Sequence, residues 1–82
     1  MQVLKQYNNI KAKYPDAIIL IRVNDFYETV KQDAINASLA LGTVLTKSTE
    51  GYEITGFPAF SLDNHLPKLI RAGYRVAIVD KI

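Results

Sequence analysis

The sequence predicts an α+β domain, a small mixed β-sheet flanked by helices. Two kinds of segment alternate along it. Stretches with apolar residues three and four apart read as amphipathic helices, and short β-branched runs read as strands. The order helix, strand pair, helix, strand pair, helix, strand gives one sheet with helices packed on it. At 82 residues, with 49% hydrophobic and 22% charged residues, the chain is one domain spanning 1–82 with a modest core.

Residues 2–13 place Val3, Leu4, Tyr7 and Ile10 at helical spacing. Tyr14-Pro15-Asp16 ends that helix, because a residue before proline avoids the helical region. Ile18 to Val23 is almost continuously apolar and rich in β-branched residues, the pattern of a central strand covered on both faces. Asn24-Asp25 has two readings. Asn tolerates positive φ, so the pair makes a two-residue hairpin turn; alternatively Asp25 caps a helix, with Glu28 closing a capping box. Phe26, Tyr27, Thr29 and Val30 all favour strand, and this tips the reading to the hairpin.

A helix follows over 32–41. Ala34, Ala37 and Leu41 line one edge of its apolar face, Ile35 and Leu39 the other, and Gly42 stops it. Thr43–Lys47 reads as a short strand and Ser48–Gly51 as a turn. Tyr52–Gly56 is a returning strand, interrupted by Gly56-Phe57-Pro58. Ser61 or Asp63 caps a helix reaching Ala72, with Gly73 beyond it; Pro67 requires that this helix start late or kink. Tyr74–Val79 is the last strand. The abrupt end after that strand reads as a fragment of a larger unit.

The bulk numbers exclude several function classes. There are 10 Lys and Arg against 8 Asp and Glu, net +2, spread along the whole chain. That is neutral on nucleic acid, since duplex binders usually cluster their basic residues. With no cysteine, disulfides and thiolate metal sites are excluded. The longest apolar run falls far short of the ~20 residues of a membrane helix. The N-terminus is polar where a signal peptide would be apolar, which predicts a cytoplasmic protein without membrane partners. His65 stands alone, without metal-ligand spacing, and reads as a surface helix residue. The four glycines are scattered and form no phosphate-binding loop. No catalytic set and no cofactor site is expected, so the chain is not read as an enzyme.

The sharpest local feature is Phe26-Tyr27-Glu28 at the end of the apolar strand. In an extended chain Phe26 and Glu28 share one side and Tyr27 faces the core. In a helix, residues two apart point in nearly opposite directions.

These residues also carry a resemblance. Val23-Asn24-Asp25-Phe26-Tyr27-Glu28, Leu45-Thr46-Lys47, Gly56-Phe57-Pro58 and the stretch from Leu66 to Ile78 follow one another at familiar separations. Together they resemble the N-terminal mismatch-recognition domain of the MutS family, in register from about Gln6 to the last residue. The resemblance implies a mixed sheet with flanking helices that meets duplex DNA from the minor groove. Phe26 takes the position of an aromatic wedge that stacks on a mispaired or unpaired base. Glu28 takes that of the carboxylate that hydrogen-bonds to the base. Asn24, Arg22 and Lys47 are further candidates for DNA contact. Facing a ring-nitrogen acceptor, Glu28 must hold a proton, so a raised pKa is expected.

The chain departs from the family pattern at Asn24, which replaces a glycine, and at Phe60, which replaces a histidine. It departs again at Asp80-Lys81, which replaces Glu-Gln, and at Pro67 inside the family's helix. The expected partner is double-stranded DNA bearing a mismatch or unpaired base, bound weakly without the rest of a larger protein. The rival reading is a protein-interaction or structural module that keeps the fold.

Overall fold

The computed structural model describes residues 2–80; Lys81, one of the departures named above, lies outside them. The elements are α1 (Gln2–Lys13), β1 (Ala17–Val23), β2 (Phe26–Val30), α2 (Lys31–Leu41), β3 (Thr46–Lys47), β4 (Glu53–Pro58), α3 (Leu62–Arg71) and β5 (Arg75–Val79). A single 3-10 turn, Ala59–Ser61, joins β4 to α3. The five strands form one mixed sheet in the order β3-β4-β2-β1-β5. Only β1 and β5 run parallel; the other pairs are antiparallel. The fold is the α+β arrangement that the pattern predicts.

β1 explains why the sheet is covered twice. Ile18 and Leu20 pack with Tyr27, Ala37, Leu41, Phe57 and Leu69 on the face that carries α2 and α3. Ala17, Ile19 and Ile21 pack with Tyr7 and Val30 on the face that carries α1. Alternate residues of one strand thus anchor two cores, each fully buried Ile or Leu contributing about 1.5–3 kcal/mol. Among the described residues no helix is long and apolar enough to cross a membrane.

Several expectations need correction. β4 runs through Gly56-Phe57-Pro58 instead of being interrupted there. A Cβ on Gly56 would lie 2.6 Å from the Tyr27 carbonyl oxygen, so the close approach of β2 requires glycine and the glycine enables the pairing. Pro58 sits at the strand end opposite Phe26, where a missing N–H costs least. β3 is only Thr46–Lys47, because Thr43 and Val44 are held by side-chain hydroxyls and not by a strand partner.

In α2 the buried positions are Asp33, Ala34, Ala37 and Leu41, whereas Leu39 faces solvent. The buried arc of α2 is thus turned toward Asp33 and away from Leu39. α3 begins at Leu62 and continues through Pro67 to Arg71, so it does not start late. The Asp63 carbonyl that loses its partner belongs to an exposed residue and is open to water. Ser61 precedes that helix without capping it; its hydroxyl donates instead to the Pro58 carbonyl at 2.8 Å. His65 is half-buried, not on the surface. Its ring stacks on Phe57 at 4.3 Å, and its Nδ1–H donates to the Ser61 carbonyl at 2.8 Å.

Two non-glycine residues adopt positive φ, Asn24 at 54° and Lys31 at 59°. Lys31 turns the chain from β2 directly into α2, a strained conformation that the sequence does not announce.

Candidate nucleic-acid interface

The hairpin reading of Asn24-Asp25 decides the geometry. Val23 pairs with Phe26, Arg22 with Tyr27 and Ile21 with Glu28, so two residues close the turn and Asn24 supplies the left-handed step. Glu28 lies mid-strand and caps no helix. Extended pairing then sends Phe26 and Glu28 to one side and Tyr27 to the other. Phe26 is 46% exposed and Tyr27 only 5%. The expected split between an exposed aromatic and a core aromatic is present.

The end of the sheet around Phe26 is braced. Ala59 N–H donates to the Asp25 carbonyl at 2.6 Å, closing the hairpin tip onto the 3-10 turn. The Tyr27 hydroxyl donates to Asp80 at 2.6 Å, and this bond raises the Tyr27 pKa. Behind Phe26 stands a chain of packed rings, Tyr27 against Phe57 and Phe57 against His65. The backbone beneath Phe26 is thereby fixed, so meeting a partner would leave mainly the side chain to order.

Phe26 and Glu28 lie on the same side of β2 as Val30, the side of the sheet that carries α1. They border a groove of about 180 Å³ that crosses β4 at Gly56. Burial raises the pKa of Glu28, and no cation bonds to it among the described residues. Partial desolvation without a bonded cation favours the neutral form of a carboxyl group over what it would be in water.

The other candidates are scattered. Arg22 shares the face of Tyr27, with its guanidinium over that ring at 5.7 Å and its Nε donating to the Asn24 carbonyl at 2.7 Å. It thus supports the turn from the side opposite Phe26. Asn24 is exposed at the tip. Lys47 belongs to β3, on the opposite face, where it pairs with Glu53 at 3.6 Å. The structure therefore brings together Phe26, Glu28 and the hairpin tip, and leaves Lys47 apart.

The sequence reading missed two features. Phe60 is 89% exposed and borders a depression with Arg22, Asp25 and Ala59, giving this end of the sheet a second exposed aromatic. The other is a buried polar knot. Asp33, 3% exposed, accepts from Lys11 Nζ at 2.9 Å and from the Ile19 N–H at 3.2 Å. Lys11 also donates to the Ala17 carbonyl at 2.6 Å. Burial and the nearby Asp33 charge drive the Tyr7 hydroxyl pKa strongly upward. This knot ties α1, β1 and α2 together behind the sheet. A lone Asp near a helix start reads as a surface residue, and only its spacing from Ala37 and Leu41 hinted otherwise. Among the described residues no cluster of three or more His, Cys, Asp or Glu is placed to hold a metal.

Comparison with known proteins gives one consistent result. The family model of MutS domain I matches residues 1–82. The chain is 54% identical over 84 residues to a DNA mismatch repair protein MutS of Flavobacterium johnsoniae, covering 98% of this chain and 10% of that protein. It is 54% identical over 83 residues to the protein of the same name from Cytophaga hutchinsonii, covering 96% and 10%. Porphyromonas gingivalis has another, 54% identical over 84 residues and covering 98% and 9%. The chain thus spans about a tenth of the length of the curated relatives it matches.

Proposed function

The chain belongs to the MutS domain I family, and from that membership we propose that it is a duplex-reading module for mismatched DNA. In this reading Phe26 enters beside a mispaired or unpaired base and stacks on it, while Glu28 hydrogen-bonds to the same base. The module acts by binding and carries out no reaction. Its selectivity arises because a mispaired step costs less to unstack and kink than a paired one. The DNA-repair name of the long relatives supports the choice of ligand.

The observation that carries the proposal is the placement of a half-exposed Phe26 next to a half-buried Glu28 on the open part of the sheet. A flat apolar ring replaces lost base stacking, and a protonated carboxyl donates to a ring nitrogen. Arg22 and Asn24 support this geometry at the turn, and Lys47 takes a peripheral place. Most affinity in such complexes comes from phosphate contacts, so the rest of a longer repair protein supplies the grip and this module supplies the choice.

The test is fluorescence anisotropy at low salt with three duplexes: matched, G·T-mismatched, and carrying one unpaired thymine. The native chain should bind the two defective duplexes more tightly than the matched one. Phe26→Ala should erase the difference, a loss of about 5- to 100-fold in preference for a stacking term of roughly 1–3 kcal/mol. Identical curves for all three duplexes with the native chain would rule the proposal out.

A further inference from the structure

The parallel pairing of β1 with β5 brings two helix ends to one edge of the sheet. α1 ends just before β1 and α3 just before β5, and the two strands start side by side, Ala17 against Arg75. Both helices carry cations in their last turn, Lys11 and Lys13 in α1, Lys68 and Arg71 in α3. Cations there offset the helix dipole, and Lys11 is taken up by Asp33. Arg75 belongs to a strand and serves no helix end. Among the described residues, Lys13, Lys68, Arg71 and Arg75 form no ion pair.

This end of the sheet also holds a cleft of about 340 Å³. Lys13, Tyr14 and Arg75 stand around it, and buried Ala17 with half-buried Val76 and Ala77 gives it an apolar interior. The Tyr14 N–H donates to the Ile10 carbonyl at 3.0 Å, and the Ala17 N–H to the Tyr14 carbonyl at 3.1 Å. Lys11 Nζ holds the Ala17 carbonyl from behind. Tyr14, 55% exposed, thus stands on a turn whose backbone is fixed.

The chemistry of an occupant follows. Two cations without ion-pair partners call for anionic groups, and the apolar interior calls for an apolar side chain between them. A polypeptide supplies both, and Tyr and Arg are the residue types that anchor protein interfaces. A nucleic-acid backbone fits less well. The Asp16 carboxylate on the rim repels phosphates, and a phosphodiester has no hydrogen-bond donor to offer it, whereas a peptide N–H does. The seven residues of β1 also set the cleft about 20 Å from the hairpin end, so a duplex held there leaves it open.

We propose that this cleft docks an acidic segment of a partner protein, which seats one apolar side chain against Ala17 and Val76 and pairs its carboxylates with Lys13 and Arg75. This docking stands apart from the DNA-binding reading and does not need it.

The test is an NMR titration of the isotope-labelled chain, at low salt, with the acetylated and amidated peptide Asp-Glu-Leu-Asp-Glu. Amide signals should move at Tyr14, Ala17 and Arg75 to Ala77 and stay in place over Asn24 to Glu28. Lys13→Glu combined with Arg75→Glu, both at exposed positions, should weaken binding about tenfold, as two surface charge contacts worth a few-fold each imply. Replacing the peptide's Leu by Gly should weaken it at least about threefold. No movement at the cleft, or movement that survives the double reversal, would overturn the proposal. Equal binding of the Gly peptide would overturn it too, by reducing the site to surface charge. So would a matched duplex that moves the same amides at lower concentration than the peptide, which would make the cleft a nucleic-acid contact. A native chain that sediments as a dimer, with Arg75→Glu monomeric, would give the cleft to a second copy and equally overturn the proposal.

Discussion

Glu28 is a carboxyl group whose surroundings favour the neutral form, because burial raises its pKa above the ordinary 4.5. The sign of the consequence follows from linkage. Its contribution to stability is fully present below pH 4.5 and is lost as pH rises through the higher folded value. Glu28→Gln removes that loss. The variant's Tm should match the native one near pH 4 and exceed it at neutral pH, measured by thermal melts across that range. Binding should follow the same proton. The native preference for mismatched DNA should decline with rising pH, whereas the Gln variant, whose amide always donates, should show a flat profile in anisotropy titrations. A native profile as flat as the variant's would remove the proton from the binding step. Thr29 shows the converse at this scale: among the described residues its buried hydroxyl finds no hydrogen-bond partner, a cost of about 1–3 kcal/mol carried next to Glu28.

At the scale of elements, α1 and α2 are joined to β1 by the Asp33 knot as well as by apolar packing. Removing the carboxylate leaves the Lys11 ammonium and the Ile19 N–H without their partner. Asp33→Ala should therefore cost about 3 kcal/mol, a Tm drop on the order of 15 °C by calorimetry. Lys11→Met should cost less, because Asp33 keeps its bond to Ile19. This knot also shows where sequence reading stopped. The hairpin, the central strand and the split between Phe26 and Tyr27 were legible, since each rests on local chemistry: β-branched runs, an Asn that accepts positive φ, and the two-residue period. What was illegible depends on residues far apart in the chain. Asp33 meets Lys11 and Ile19; Gly56 answers the Tyr27 carbonyl; Thr43 and Val44 are held by Ser38 and Thr55. Leu39 looked like core because helical spacing allowed it, and only the packed fold shows that the buried arc of α2 is turned toward Asp33 instead.

At the scale of the whole molecule, the net charge is a modest +2, which on the proposed reading would limit how firmly the domain grips a duplex. Arg22 donates to the turn and Lys47 lies beside Glu53 on the opposite face, so neither would bring much free charge to phosphates around Phe26. A plot of log K against log salt for mismatched DNA should have a slope no steeper than about −3, because each neutralised phosphate contributes roughly −0.9. Titrations between 50 and 200 mM salt suffice to read it, and a slope near −6 would mean a broad basic face is engaged. The turn at Asn24-Asp25 has one more consequence, and it concerns parity. Deleting one of its residues while keeping a two-residue turn would pair Val23 with Tyr27, and every side chain of β2 would exchange inside for outside. The phenol would then project where the phenyl ring stands now, and Phe26 would be drawn into the turn itself. Length changes at this tip are therefore reversals of identity, not adjustments of reach, and only an even shift of register preserves which ring the molecule shows to the world.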